Sequence, residues 1–360
     1  MHRNRFCTLC ALTLLLFTTL AGQVAAQDRQ AQHIYAPMAS QKAAVSQTIG
    51  VTELKVHYHR PAVNERTIWG ALVPHGQIWR TGANENTTFS TSTEVTVEGQ
   101  TLKAGKYGLF TIPGEGEWTV VFSKDNASWG SSSYDEANDV LRVQVTPSEA
   151  PHQERMGFTF EDVSNDGATL TLHWEKVRVP VRIEAKTHEL ALASFREQLK
   201  GLSQFFWQGW NQAANYCLQN EINYEEAMEW VERSIQTQAT FANLSTKAQL
   251  LAKMGQGEEV EAIMEKAVEK GNAGNLYAYG RQLLSQGDEE KALEIMQMNV
   301  KRHPEAWFVE FGLAFPLSAL GQYDKAAAAM KTALEKAPDN NKPFVQGLLD
   351  RLEKGEDINN

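Results

Sequence analysis

Two hydrophobic periods divide the chain. From residue 45 to about residue 184, apolar and polar side chains alternate, the signature of strands with one face in a core. "ELKVHYHR" sets Leu54, Val56 and Tyr58 against Lys55, His57 and His59. "EWTVVFS" alternates Trp118, Val120 and Phe122, and "LRVQV" alternates Leu141, Val143 and Val145. "MGFTF", "TLTLHW" and "VRVPVRI" continue the pattern through Met156, Phe158 and Phe160, then Leu170, Leu172 and Trp174, then Val177, Val179, Val181 and Ile183. Glu98-Gly99, Ala104-Gly105, Pro113-Gly114 and Asp166-Gly167 supply turn residues between the runs. Short hairpins with one buried face per strand predict an antiparallel β-sandwich or jelly roll over residues 40–186. Pro180 lacks the N–H that a ladder needs, which predicts an edge position for the last strand.

Beyond Lys186 the period lengthens to that of helices, with Thr187 placed to cap a helix from His188. Four segments then superimpose: "YEEAMEWVERSI", "GEEVEAIMEKAV", "DEEKALEIMQMNV" and "YDKAAAAMKTAL". Their anchors Ala227, Val260, Ala292 and Ala326 are spaced 33, 32 and 34 residues apart. Seven residues on stand Ser234, Ala267, Asn299 and Ala333, and twelve residues before stand Asn215, Ala248, Gly280 and Ala314. Pro304 and Pro338 each follow their anchor by twelve. Small residues where paired helices cross, and a proline closing the second helix, are the tetratricopeptide pattern. No pair buries its apolar face alone, so residues 187–355 are expected to stack as an all-α solenoid capped by "KPFVQGLLDRLEKG". The expected fold class is multidomain, a β-sandwich followed by a tetratricopeptide-like helical domain. With no Gly/Ser/Pro tract across residues 184–187, the halves are expected to join without a flexible linker.

Residues 1–26 read as a signal peptide. His2, Arg3 and Arg5 precede "ALTLLLFTTLAG", an apolar run too short to span a bilayer, and "VAA" before Gln27 is an acceptable cleavage site. Residues 27–39 then form an N-terminal segment. The expected location is periplasmic or secreted, with no membrane attachment after cleavage. Cleavage removes Cys7 and Cys10 and leaves Cys217 without a disulfide partner. The net charge of −10 is spread over both halves, with 15 basic against 19 acidic side chains in residues 27–186 and 17 against 25 in residues 187–360. Neither half has a basic patch, so no nucleic-acid partner is expected.

One stretch follows neither period: "IWGALVPHGQIWRTGANENTTF", residues 68–89. Pro61 and Pro74 fix φ and interrupt pairing, while Gly70, Gly76 and Gly82 permit tight turns, so it reads as a long connection across the sandwich. Such loops are either functional or packed down by their own side chains. As a ligand site, Trp69 or Trp79 would offer a flat apolar face. Arg60, Arg66, Arg80, Asn84 and Glu85 would add directional polar groups, which suits a glycan or another small ligand. As a plug, the tryptophans would fill the sandwich end, and Arg80 would pair with Glu85 or with loop carbonyls.

"YHRPAVNERTIWGALVPHGQIWRTGANENTTF", "LKAGKYGLFTIPGEGEWTVVFSKD" and Trp129-Gly130 resemble the domain-of-unknown-function family 2911, over roughly residues 34–185. The resemblance implies an exported bacterial protein with a β fold, followed in some members by helical repeats, and it brings no activity with it.

Function is therefore read from the residues. The expectation is a non-catalytic binding or scaffold protein whose repeats engage a protein partner. The alternative is a carbohydrate-active hydrolase using Glu85 and Arg80, with Glu65 as the second carboxylate. No G-x-S-x-G, H-E-x-x-H or phosphate-loop motif occurs, and neither a cofactor nor a metal is expected. His57 and His59 share a strand face and read as solvated; joined by His75 they would suit zinc or copper. Cys217 is expected at a helix–helix contact. Trp207, Trp210, Trp230, Tyr277, Tyr279, Trp307 and Phe311 exceed what small-residue packing requires, as core between repeats or as a peptide-binding face.

Overall fold

The computed structural model describes residues 37–359; residues 1–26, read above as a signal peptide, and most of segment 27–39 lie outside the described residues. Ten strands come first: β1 (Gln41–Ile49), β2 (Thr52–Arg60), β3 (Thr88–Thr91), β4 (Val95–Val97), β5 (Gln100–Leu102), β6 (Gly105–Ile112), β7 (Trp118–Ser123), β8 (Asp139–Val145), β9 (Ser148–Glu161) and β10 (Gly167–Glu184). They form two antiparallel sheets, one ordered β1-β2-β3-β6-β7-β8 and one ordered β5-β4-β10-β9. The alternating rows meet in one core: Leu54, Val56, Phe89, Trp118 and Phe122 from the first sheet, Met156, Leu170, Trp174 and Ile183 from the second. Burying each such side chain contributes roughly 1.5–3 kcal/mol.

Pro180 does not lie at an edge. It sits on β10, an interior strand, but beyond the last pairing with β9 (Arg178↔Ser148) and before the first with β4 (Ile183↔Val97). The missing N–H therefore falls where no ladder bond is due. A second departure from simple alternation is on the outer face. Phe110 and Val121 point away from the core yet are inaccessible, because the β7–β8 loop folds over them. Tyr134 of that loop lies 5.2 Å from the Phe110 ring, and its hydroxyl joins Asp139 (2.6 Å) and Arg142 (2.7 Å). Burial and the Asp139 bond push the Tyr134 phenol up to about 12.

Ten helices follow: α1 (Thr187–Gln198), α2 (Trp207–Gln219), α3 (Tyr224–Thr237), α4 (Phe241–Lys253), α5 (Val260–Lys270), α6 (Ala273–Ser285), α7 (Glu289–Arg302), α8 (Trp307–Ala319), α9 (Tyr323–Lys336) and α10 (Lys342–Leu352). The chain divides into two compact units between Ala191 and Leu192, within α1. Thr187 is the first helical residue rather than the cap, and its hydroxyl donates to Asn165 O at 2.8 Å. A Cβ on Gly50, which has φ +53, would collide with that threonine, so the β1–β2 turn requires glycine.

In the second unit α2–α3, α4–α5, α6–α7 and α8–α9 are the four repeats, with α10 closing the array. Ala227, Ala292 and Ala326 are inaccessible, as are Ser234, Ala267, Asn299 and Ala333 seven residues on. Where that second position is polar, it is bonded. Ser234 donates to Trp207 O (2.8 Å) and Asn299 Nδ2 to Ala273 O (2.9 Å), in each case tying a second helix to the first residue of its partner.

The repeat register slips in the first pair. Asn215 is exposed and its neighbour Ala214 is inaccessible instead. Three connections turn on a glycine of positive φ, Gly255, Gly287 and Gly321, whereas α2 and α3 are joined through residues 220–223 with Glu221 (φ 55) and Asn223 (φ 50) left-handed. Counted between crossing positions, Ala214 to Ala227 is one residue longer than Ala248–Val260, Gly280–Ala292 and Ala314–Ala326. Cys217 packs here with Ala213, Leu218, Ala227 and Val231, and burial pushes its thiol up to about 11. No helix among the described residues is long and apolar enough to cross a membrane.

Candidate functional site

The β2–β3 connection does cross the sandwich. At its start Met156 N donates to Pro61 O (3.0 Å) and Val63 N to Glu154 O (2.8 Å), pairing the loop with β9. Arg60 Nε donates to Met156 O (2.8 Å), and Arg66 donates to Val63 O (3.0 Å) and Ala62 O (2.5 Å). Both guanidiniums thus satisfy carbonyls that have no ladder partner. On the way back Trp79 exchanges two hydrogen bonds with Thr111, and Leu109 N donates to Thr87 O, so the loop completes the edge of β6 where β3 ends.

Trp69 and Trp79 are structural. Trp69 meets Trp79, Trp118 and Trp174 edge-on at 5.9, 4.8 and 5.7 Å, and Trp79 stacks on Trp174 at 5.8 Å. The four indoles close one region of the core, against which Trp69 and Trp79 are partly buried.

Past Trp79 the loop changes character. Thr81 is buried with φ +54, a conformation costly for a β-branched residue, and is held by bonds to Thr111 Oγ1 (3.2 Å) and from Thr87 Oγ1 (2.7 Å). Residues 84–86 then run beside 128–130. Gly130 N donates to Asn84 O (3.2 Å), Asn86 N donates to Ser128 O (3.0 Å), and Glu85 bridges to Trp129. The Asn86 side chain fixes the ribbon by donating to Asp125 O (2.8 Å) and accepting from Ser128 N (3.0 Å).

The Arg80–Glu85 pair expected from sequence does not form. Arg80 Nε is buried with no hydrogen-bond partner among the described residues, and burial lowers the guanidinium from its ordinary value. Glu85 instead places Oε2 at 3.3 Å from His59 Nδ1. Asn84 Nδ2 reaches Ser40 O at 3.4 Å. Of the seven residues singled out in the sequence, Glu85 lines the cavity described next; Arg66, Trp69 and Trp79 hold the loop, Arg60 ties β2 to β9, Asn84 belongs to the ribbon, and Arg80 lies beside Gly130.

That cavity, of about 400 Å³, lies on the outer face of the six-stranded sheet beneath the 84–86 ribbon and the β7–β8 loop. Its lining includes Lys42, His57, His59, Glu85, Asn86, Thr88, Lys106 and Asn126. Strand register assembles it: Lys42 lies opposite His59, His57 opposite Thr88, and Thr88 opposite Gly108. His59 is only 6% exposed, so the expectation of a solvated histidine face is corrected: the ribbon and loop roof it over. His57 is held below its ordinary value by burial, then by Lys55, Lys42 and Lys106. Among the described residues these three lysines form no ion pair. His75 lies beside Gly70, and among the described residues no three His, Cys, Asp or Glu side chains come together to hold a metal.

Trp129, 64% exposed above Glu85, is the accessible tryptophan of this region. No local pattern in the sequence joins Lys42, Lys106 and Asn126 to His57; strand pairing and the β7–β8 loop bring them together.

Residues 40–183 match the family described as "Protein of unknown function (DUF2911)". No curated protein matches the chain. Among solved structures the chain is similar to YrrB, "a TPR protein with an unusual peptide-binding site", at 17% identity over 45% of this chain and 84% of that one, with a TM-score of 0.30. The C-terminal part of a TPR repeat-containing protein from Cytophaga hutchinsonii matches at 17% identity over 46% and 67%, with a TM-score of 0.35. MamA matches at 15% identity over 43% and 84%, with a TM-score of 0.31.

Proposed function

We propose that the protein is an exported, non-catalytic binding protein, in which the helical repeats engage a protein partner and the cavity of the β-sandwich seats a small polar ligand. The observation that carries the ligand half is the cavity itself, built from four strands and a pinned ribbon around His57, His59 and Glu85. The scaffold half is supported by aromatic side chains left on the repeats. Trp230 and Phe311 are core, but Tyr277, Phe308 and Trp307 are half-buried in an edge-on series, and Phe344 beside Phe311 is 62% exposed. The hydrolase alternative has less support, because Glu85 meets His59 rather than Arg80 and no second carboxylate lines its cavity among the described residues.

Cross-linking of the full chain in an extract of its native host, read by mass spectrometry, tests the scaffold half. Partner cross-links should fall within residues 187–355 and weaken in Phe344→Ala. Cross-links confined to residues 40–186 would contradict it. Export is tested separately by N-terminal sequencing of the mature protein, which should begin at Gln27.

A further inference from the structure

The charge of the cavity runs against that of the chain. The protein carries a net charge of −10, yet two lysines and two histidines line this one concavity against a single carboxylate, Glu85, already in contact with His59. Lys42 enters from β1, opposite His59, and Lys106 from β6, opposite Ser90 and two register positions from Thr88. Between them stand His57 on β2 and Thr88 on β3, directly paired. The walls are fixed rather than loose, since Asn86 is bonded at both ends and Asn126 Nδ2 donates to Lys106 O at 3.0 Å. Unpaired ammonium groups facing one partly enclosed space repel each other, and an anion between them removes that repulsion.

We propose that the cavity binds a small oxyanion, a phosphate or carboxylate group carried by a small molecule, held between Lys42 and Lys106 with Thr88 and His57 beneath it. The inference rests on the ligand-seat reading above and adds the chemical class. Two donors of fixed charge meet the oxyanion, the Thr88 hydroxyl adds a neutral one, and Glu85 faces whatever hydroxyl or amine the ligand carries at its other end. A neutral glycan fits the lining less well. The exposed aromatic platform of this region, Trp129, lies outside the cavity lining, while Lys42, Lys106 and Glu85 lie within it. Binding has an internal reporter. His57 faces Lys42 from β1, Lys55 and His59 from its own strand, Thr88 from β3, Lys106 from β6, and Glu85 and Asn126 from the loops. Free of ligand it resists protonation through burial and those lysines, and an anion at the same place reverses the lysine contribution.

Calorimetric titration of the full chain with inorganic phosphate, succinate and glucose tests this directly. Phosphate or succinate should bind, more weakly as sodium chloride is raised, and affinity should fall at least about tenfold in Lys42→Gln/Lys106→Gln. Thermal melting should show that variant folded, because neither lysine makes an ion pair among the described residues. Tighter phosphate than succinate assigns a phosphoryl ligand, and the reverse a carboxylate. The His57 titration midpoint, followed by NMR, should rise at saturating anion. Equal anion affinity in wild type and double variant, or an unmoved His57 midpoint, overturns the inference. Glucose binding without either anion overturns it while leaving the ligand seat standing, and no binding of all three overturns both.

Discussion

The two arms of the β2–β3 connection spend similar residues in opposite ways. Residues 60–79 hold two arginines and two tryptophans, and all four are engaged by the fold: arginine donors on backbone carbonyls, indoles in a four-ring cluster with Trp118 and Trp174. Residues 80–87 bury little apolar surface, yet they roof a polar cavity and bring Glu85 to His59. Thr81, strained and pinned, separates them. Aromatic and guanidinium groups in an irregular loop are thus poor markers of a site unless something else of the fold leaves them unoccupied. Here the site is made by strand-face residues that the loop covers.

The largest expected effect tests the first arm. Trp69→Ala opens a hole among three indoles, and should cost about 3–5 kcal/mol by urea denaturation. A loss under about 1 kcal/mol would mean the cluster is not closing the core.

A smaller effect separates the arms at Arg80. A buried Arg80–Glu85 pair would make loss of the cation cost about 3–5 kcal/mol. With no such pair, Arg80→Met keeps the stem packing, removes a buried donor that lacks an acceptor, and should change stability by under about 1 kcal/mol in the same assay.

The smallest effect is the acid response of the cavity. His57 is held below its ordinary value of 6.5 by burial and then by Lys55, Lys42 and Lys106, so protonation is harder folded than unfolded. Its contribution to stability is therefore complete above pH 6.5 and is lost as pH falls through the lower folded value. His57→Gln should narrow the gap between melting temperatures at pH 8 and pH 5. A gap as wide as in wild type would remove His57 from the acid response.

Much of this fold is legible in the sequence because its rules are local. Alternation placed Leu54, Val56 and Tyr58 inward, and a fixed spacing placed Ala227, Ala292 and Ala326 at helix crossings. Pro180 misled because composition cannot show that an interior strand outruns one neighbour before meeting the next. Asn215 misled for a local reason that was visible: the first connection has Glu221 and Asn223 where the others turn on a glycine. The cavity was the least legible part. His59, Lys42, Lys106 and Asn126 meet only through register between strands distant in sequence and through two loops folded over one face, which no periodicity encodes.

The central claim is that the first arm is structure and the cavity beneath the second is the ligand seat. It is tested most directly by one heteronuclear NMR titration of the full chain with inorganic phosphate, with imidazole and indole signals recorded together. The His57 and His59 ring signals should move saturably while the indole N–H signals of Trp69, Trp79, Trp118 and Trp174 stay in place. Saturable movement of the Trp69 and Trp79 indoles with His57 and His59 unmoved would contradict the account.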